Sequence, residues 1–142
     1  MILGGEFGRR RRPSGREFSA PQARKFLGID AMVVGDPANM NWLTGFDAWS
    51  FYVPQVMVVE SDRLPVWIGR AMDAGAVGLT THLDSDCIVP YPEELVQRDD
   101  THPSTFMAHW LSDRGLGGKR LGYESDSFFF SPRALIFRAG RT

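Results

Sequence analysis

The stretch that decides how this chain is read is Asn39-Met40-Asn41-Trp42-Leu43-Thr44-Gly45-Phe46-Asp47-Ala48-Trp49-Ser50-Phe51-Tyr52. Two tryptophans, two phenylalanines and a tyrosine share fourteen positions with one Asp, one Ser and one Gly. Rings of this size bring large contact area, and a buried N–H or O–H on them needs a partner. The plainer reading is a short helix and a strand entry that plug a core, and residue types alone favour it. The sharper reading is a loop that offers a flat, polar-tipped surface to a ligand or a second subunit.

Working outward, Asp36-Pro37 has the form of a helix start, a cap followed by a proline in the first turn, and Gly45 has the form of its stop. Before it, residues 29–34 are apolar enough for a buried strand ended by Gly35. Ser19 caps an expected short helix with Pro21 in its first turn and Gly28 at its end. Residues 1–17 are rich in Gly and Arg, including Arg9 to Arg12, and carry no apolar period, so a disordered leader is expected there. The ordered domain is expected over 18–142.

Downstream, residues 55–60 contain Val56-Met57-Val58-Val59, a run expected of a strand buried on both faces. Residues 61–63 turn the chain into 64–68, its expected antiparallel partner. Residues 70–79 make a weak, Ala/Gly-rich helix, 87–91 a strand, and 92–98 a helical turn. The clearest helix is 101–114, where Phe106, Met107, Trp110 and Leu111 form one stripe and Gly115 closes it. Residues 119–123 add a strand, and Ser131-Pro132 opens a last helix through Phe137. Alternating strands and helices with one hairpin predict an α/β, three-layer domain with a mixed sheet flanked by helices.

At 142 residues the chain is one domain's worth. Sixteen basic and seventeen acidic residues leave a net charge of -1, so neither nucleic acid nor a membrane surface is an expected partner. No apolar run is long enough for a membrane span, and the arginines near the N-terminus have no apolar segment behind them as a secretory signal would. The single Cys87 excludes an internal disulfide and fits a reducing, cytoplasmic setting. Its apolar neighbours Ile88 and Val89 favour an inert buried thiol over a nucleophile.

Catalytic chemistry is hard to assemble from these residues. His82, His102 and His109 lack metal-pair spacing; His102 and His109 lie about 10 Å apart along a helix and read as surface or capping residues. Asp84 with Asp86, and Asp99 with Asp100, could offer oxygen ligands, but paired carboxylates are common by chance. There is no Gly-x-Ser-x-Gly elbow, phosphate loop or dinucleotide fingerprint. The expected catalytic set is none, and no metal ligand is expected.

The order of motifs nonetheless resembles a family. Gly28-Ile29-Asp30-Ala31-Met32-Val33-Val34, followed by Asp36 to Phe46 with its Asn39-Met40-Asn41-Trp42-Leu43-Thr44-Gly45 segment, looks like the opening of creatinase/prolidase N-terminal domains. The continuation through Val53, then Pro65 to Arg70, Asp73-Ala74 and Arg120 to Glu124, is similar to the ectoine hydrolase subgroup. The likeness runs over about residues 26–135. It implies an α/β domain that precedes a "pita-bread" catalytic domain with two divalent metal ions, and no cofactor in this chain itself. It also implies a homodimer in which the loop after Leu-Thr-Gly helps close the neighbouring active site around a small polar substrate. Mapped here, that substrate-pocket and dimer loop is Phe46, Asp47, Trp49, Ser50, Phe51 and Tyr52, with Asp47, Trp49 and Tyr52 expected to face the cleft. Pro21 and the Gly/Arg leader, and the ending Gly140-Arg141-Thr142, depart from the family pattern and suggest a domain truncated at both edges. A stand-alone α/β module binding a small ligand or a protein is the alternative.

Overall fold

The computed structural model describes residues 28–47, 50, 52–125 and 127. The expected leader, the helix capped by Ser19 and the helix opened by Ser131 lie outside the described residues. The elements are β1 (Ala31–Val34), α1 (Pro37–Thr44), β2 (Val56–Glu60), β3 (Val66–Arg70), α2 (Ala74–Thr80), β4 (Ile88–Tyr91), α3 (Pro103–Leu111) and β5 (Leu121–Tyr123), joined in places by short 3-10 turns. The strands form one sheet in the order β4-β3-β2-β1-β5. β2 is antiparallel to both β1 and β3, whereas β1 pairs with β5 and β3 with β4 in parallel. Four strands therefore run one way and β2 runs against them, the mixed sheet that the alternation of elements predicts.

Both faces of the sheet are covered. Ala31, Val56, Val58, Val66 and Ile68 point to a core shared with Tyr91, Met107 and Leu116, beneath α3. Val34, Met57, Val59 and Trp67 point the other way, to Met40, Phe46, Val77 and Leu83 beneath α1 and α2. Successive strand residues alternate between faces, so a strand with helices on both sides must be apolar throughout. That accounts for the unbroken Val56-Met57-Val58-Val59. Each such side chain, once fully buried, contributes about 1.5–3 kcal/mol. Among the described residues Trp67 is the largest that is fully buried, and its indole lies over Gly69, where a Cβ would run into the ring.

α1 starts as its residues dictate. The Asp36 carboxylate accepts from the Ala38 and Asn39 amides at 2.8 and 3.4 Å, and Pro37 occupies the first turn. Gly45, at φ 79°, closes the helix in the left-handed conformation and donates its N–H to the Asn41 carbonyl at 2.7 Å.

Several boundaries move for local reasons. β3 begins at Val66 rather than 64, since Pro65 has no N–H for the ladder and Leu64 stays exposed. It runs on to Arg70, which pairs with Tyr91, so the expected helix at 70–79 becomes a 3-10 turn over Ala71–Asp73 followed by α2. Cys87 ends a 3-10 turn instead of starting β4. The helix expected over 101–114 is regular only from Pro103 to Leu111 and then widens through Ser112–Leu116, with Gly115 at φ 83°. His102 caps it, its Nδ1 accepting from the Ser104 amide at 3.2 Å, the capping role its position suggests.

Candidate functional site

Because β1, β3, β4 and β5 run in parallel, their carboxyl ends emerge at one end of the sheet, together with the start of β2. In open α/β sheets ligands gather at this end. The aromatic loop, between α1 and β2, sits here by connectivity. So do the polar residues Asp36, Arg70, Asp73, Glu93 and Glu124.

Phe46 faces inward. It is 1% exposed, with its ring centroid 6.2 Å from that of Trp67. The Phe46 carbonyl accepts from Asn41 Nδ2 at 2.9 Å and its N–H donates to Thr44 Oγ1 at 3.3 Å, so the loop leaves α1 on a fixed course. Asp47 is exposed, its amide 3.5 Å from Thr80 Oγ1 on α2. Ser50 is buried, and its hydroxyl donates to Asp73 Oδ1 at 2.7 Å. Tyr52 is 60% exposed. Trp49 and Phe51 lie outside the described residues. Two of the predicted loop residues thus anchor it from within, and two stand in solvent.

The far root of the loop is also tied down. Gln55 donates to the Ser50 carbonyl and accepts from Trp67 Nε1, both at 3.4 Å. Tyr91 donates its hydroxyl to the Pro54 carbonyl at 2.6 Å, and burial pushes that phenol well above its ordinary value.

The charged centre of this end is Arg70. Its Nε and Nη2 donate to the two oxygens of Asp73 at 3.1 and 3.3 Å, and Nη2 also lies 3.4 Å from Ser50 Oγ. Glu93 Oε2 stands 4.0 Å from Arg70 Nε, while Glu93 Oε1 accepts from the Met72 amide at 2.8 Å. The guanidinium is 5.7 Å from the Tyr52 ring centroid. The hydrogen bonds to Asp73 raise the Arg70 pKa further above its already high value. Arg70, Asp73, Gln55 and Tyr91 escape a reading of the loop sequence alone. The sequence signals for the pair are an opposite-charge i, i+3 spacing directly after a strand and its place in the Pro65 to Arg70 and Asp73-Ala74 segments that carry the family resemblance.

At the β1 and β5 side of the same end, Glu124 Oε2 accepts from the Gly35 and Asp36 amides at 2.7 and 2.8 Å, and Oε1 from Asn39 Nδ2 at 2.5 Å. A carboxylate at a helix N-terminus meets the positive end of the helix dipole. Glu124 is therefore a clamp for α1.

Among the described residues, no three His, Cys, Asp or Glu side chains converge on a point. Asp84 and Asp86 are exposed, and Asp100 is paired with Arg98 through two bonds of 2.8 Å. Cys87 is partly buried, and burial, followed by the nearby Asp84, pushes its thiol up, away from a reactive thiolate. Among the described residues, no helix is long and apolar enough to cross a membrane.

The fold and its loop define a class, a three-layer α/β domain built on a mixed five-stranded sheet. Residues 22–135 match the model of the creatinase/prolidase N-terminal domain, and the chain belongs to that family. It is 45% identical over 108 residues to the ectoine hydrolase of Halomonas elongata, covering 75% of this chain and 27% of that protein. An uncharacterized hydrolase/peptidase of Sinorhizobium fredii is 41% identical over 106 residues, 74% of this chain and 27% of its own length. The chain thus spans about a quarter of the curated relatives it matches. Among solved structures, a proline dipeptidase from Streptococcus pneumoniae superposes with a TM-score of 0.62 at 22% identity, covering 82% of this chain and 77% of that one. The N-terminal domain of the Xaa-Pro dipeptidase from Lactobacillus brevis gives 0.63 at 16% identity, with 83% and 81% covered. At those identities the likeness is one of fold.

Proposed function

We propose that this chain acts as the non-catalytic N-terminal domain of a metal-dependent hydrolase of the creatinase, Xaa-Pro peptidase and ectoine hydrolase type. In this reading its work is homodimer assembly and completion of a substrate pocket for a small polar ligand, in the cytoplasm. The reaction, metal-activated water cleaving a C–N bond, belongs to a separate catalytic domain that carries two divalent ions. In this reading the chain brings walls and polar tips to the site.

One observation carries the reading. The loop is rigidly rooted, by Phe46 in the core and Ser50 on Asp73, yet it leaves Asp47 and Tyr52 in solvent. A plug for the core would bury both. The test is mass and turnover of the purified chain with Mn²⁺, Co²⁺ or Zn²⁺, against ectoine and Xaa-Pro dipeptides. A dimer without turnover is expected; metal-dependent turnover by the chain alone overturns the proposal.

The second reading is a stand-alone module that binds a small ligand or a protein. Calorimetric titration with ectoine separates the two: a module by itself binds it with a measurable isotherm, whereas one wall of a shared pocket binds it feebly.

A further inference from the structure

We propose that Arg70, Asp73 and Ser50 form a positioning set that fixes the pose of the Tyr52 ring. The inference rests on the reading that this loop borders a pocket, and it assigns a role to residues outside the loop's aromatic core. Arg70 is held on both sides. Its backbone closes the β3–β4 ladder opposite Tyr91, and its guanidinium is gripped by both oxygens of Asp73. The pair is only 12 and 14% exposed, so solvent and salt screen it weakly. Asp73 Oδ1 is shared between Arg70 Nη2 and the Ser50 hydroxyl, so a single carboxylate couples the end of β3 to the loop.

The next described residue, Tyr52, carries the consequence. Tyr52 has 60% of its surface in solvent, and exposed loop side chains ordinarily change rotamer within nanoseconds. A guanidinium 5.7 Å from the ring centroid offers a fixed cation to the ring's electron-rich face. Arginine suits all three tasks, since its planar fork grips a carboxylate, spares an N–H for Ser50 and presents charge to a ring. Lysine could supply only a point charge. Wall residues of a pocket must hold their place before ligand arrives, and this set ties the ring to the end of β3.

The test labels the whole chain with 3-fluorotyrosine. Its three tyrosines, Tyr52, Tyr91 and Tyr123, give three ¹⁹F resonances, assigned by single Tyr→Phe changes. Arg70→Lys and Asp73→Asn are expected to shift and broaden the Tyr52 resonance, with Tyr123 on β5 unmoved and cooperative melting retained. Should Asp73→Asn fail to fold, Ser50→Ala removes one hydroxyl at little cost in volume and is expected to move the same resonance less. A Tyr52 resonance unchanged in folded Arg70→Lys and Ser50→Ala overturns the proposal while leaving the pocket reading standing. The pocket reading fails differently, by metal-dependent turnover of the chain alone, which leaves the Tyr52 spectrum as it is.

Discussion

Arg70 and Arg114 sit at opposite ends of one sheet, each on a carboxylate and each near an aromatic ring. Arg114 Nε donates to Glu60 Oε1 at 2.8 Å, and the guanidinium carbon lies 5.0 Å from the Trp110 ring centroid. Glu60 ends β2, 54 residues away in the chain, and Arg63 approaches its other oxygen at 3.7 Å. Arg70 meets Asp73 only three residues on. The chemistry is alike, but the loops it closes are not. The Arg114 pair ties the turn after α3 to the sheet and can hold only when the whole domain is folded. The Arg70 pair can form within a short segment, and what it adds is order in a neighbouring loop. Sequence separation thus decides whether an ion pair is felt as global stability or as local pose.

The largest expected loss comes from a residue between the two ends. Trp67→Ala removes the central buried ring, with its contact to Phe46 and its hydrogen bond to Gln55, and is expected to cost about 3–5 kcal/mol in urea unfolding. A loss under about 1 kcal/mol would mean that the loop root does not depend on the core. Next in size, Arg114→Met leaves the 10%-exposed Glu60 without its closest donor and is expected to cost about 1–3 kcal/mol. Arg70→Lys should cost less than that, and the reverse order would mean that the short-range pair carries the greater share of global stability.

Two smaller effects are expected. Glu124→Gln weakens the clamp on the Gly35 and Asp36 amides by about 1 kcal/mol, and hydrogen exchange at those amides should quicken while the Arg114 end is unaffected. The last is a pH effect on the loop root. Burial raises the Tyr91 phenol above 10.0, its ordinary value, so its contribution is complete below about pH 10. Above that the unfolded chain ionises first, and stability falls as pH climbs toward the folded value. The urea midpoint should therefore drop less between about pH 8 and pH 11 in Tyr91→Phe than in the parent chain.

Much of the fold is legible in the residues. Asp36-Pro37 and Gly45 bracket α1 because capping is local chemistry, and the Val56–Val59 run announces a strand covered on both sides. The boundaries move for different reasons: Pro65 delays β3 locally, whereas at 70–73 the chain is held from elsewhere, since Arg70 pairs with Tyr91. The site is less legible. The loop stands out by its rings, but Phe46 and Ser50 cannot be told apart from Asp47 and Tyr52 as anchors without knowing which way the backbone turns. Glu124, a clamp on a helix 85 residues away, leaves no local signature.

What the sequence determined by itself is therefore what short-range forces set: helix starts and stops, strand periodicity, the absence of a global charge bias, and the motif order that places the chain in its family. Only the tertiary structure decided which carboxylate meets which arginine. It also decided that four strand ends and the aromatic loop share one end of the sheet. Those pairings join residues far apart in the chain, and strand order and direction, which no local run of residues encodes, bring them together.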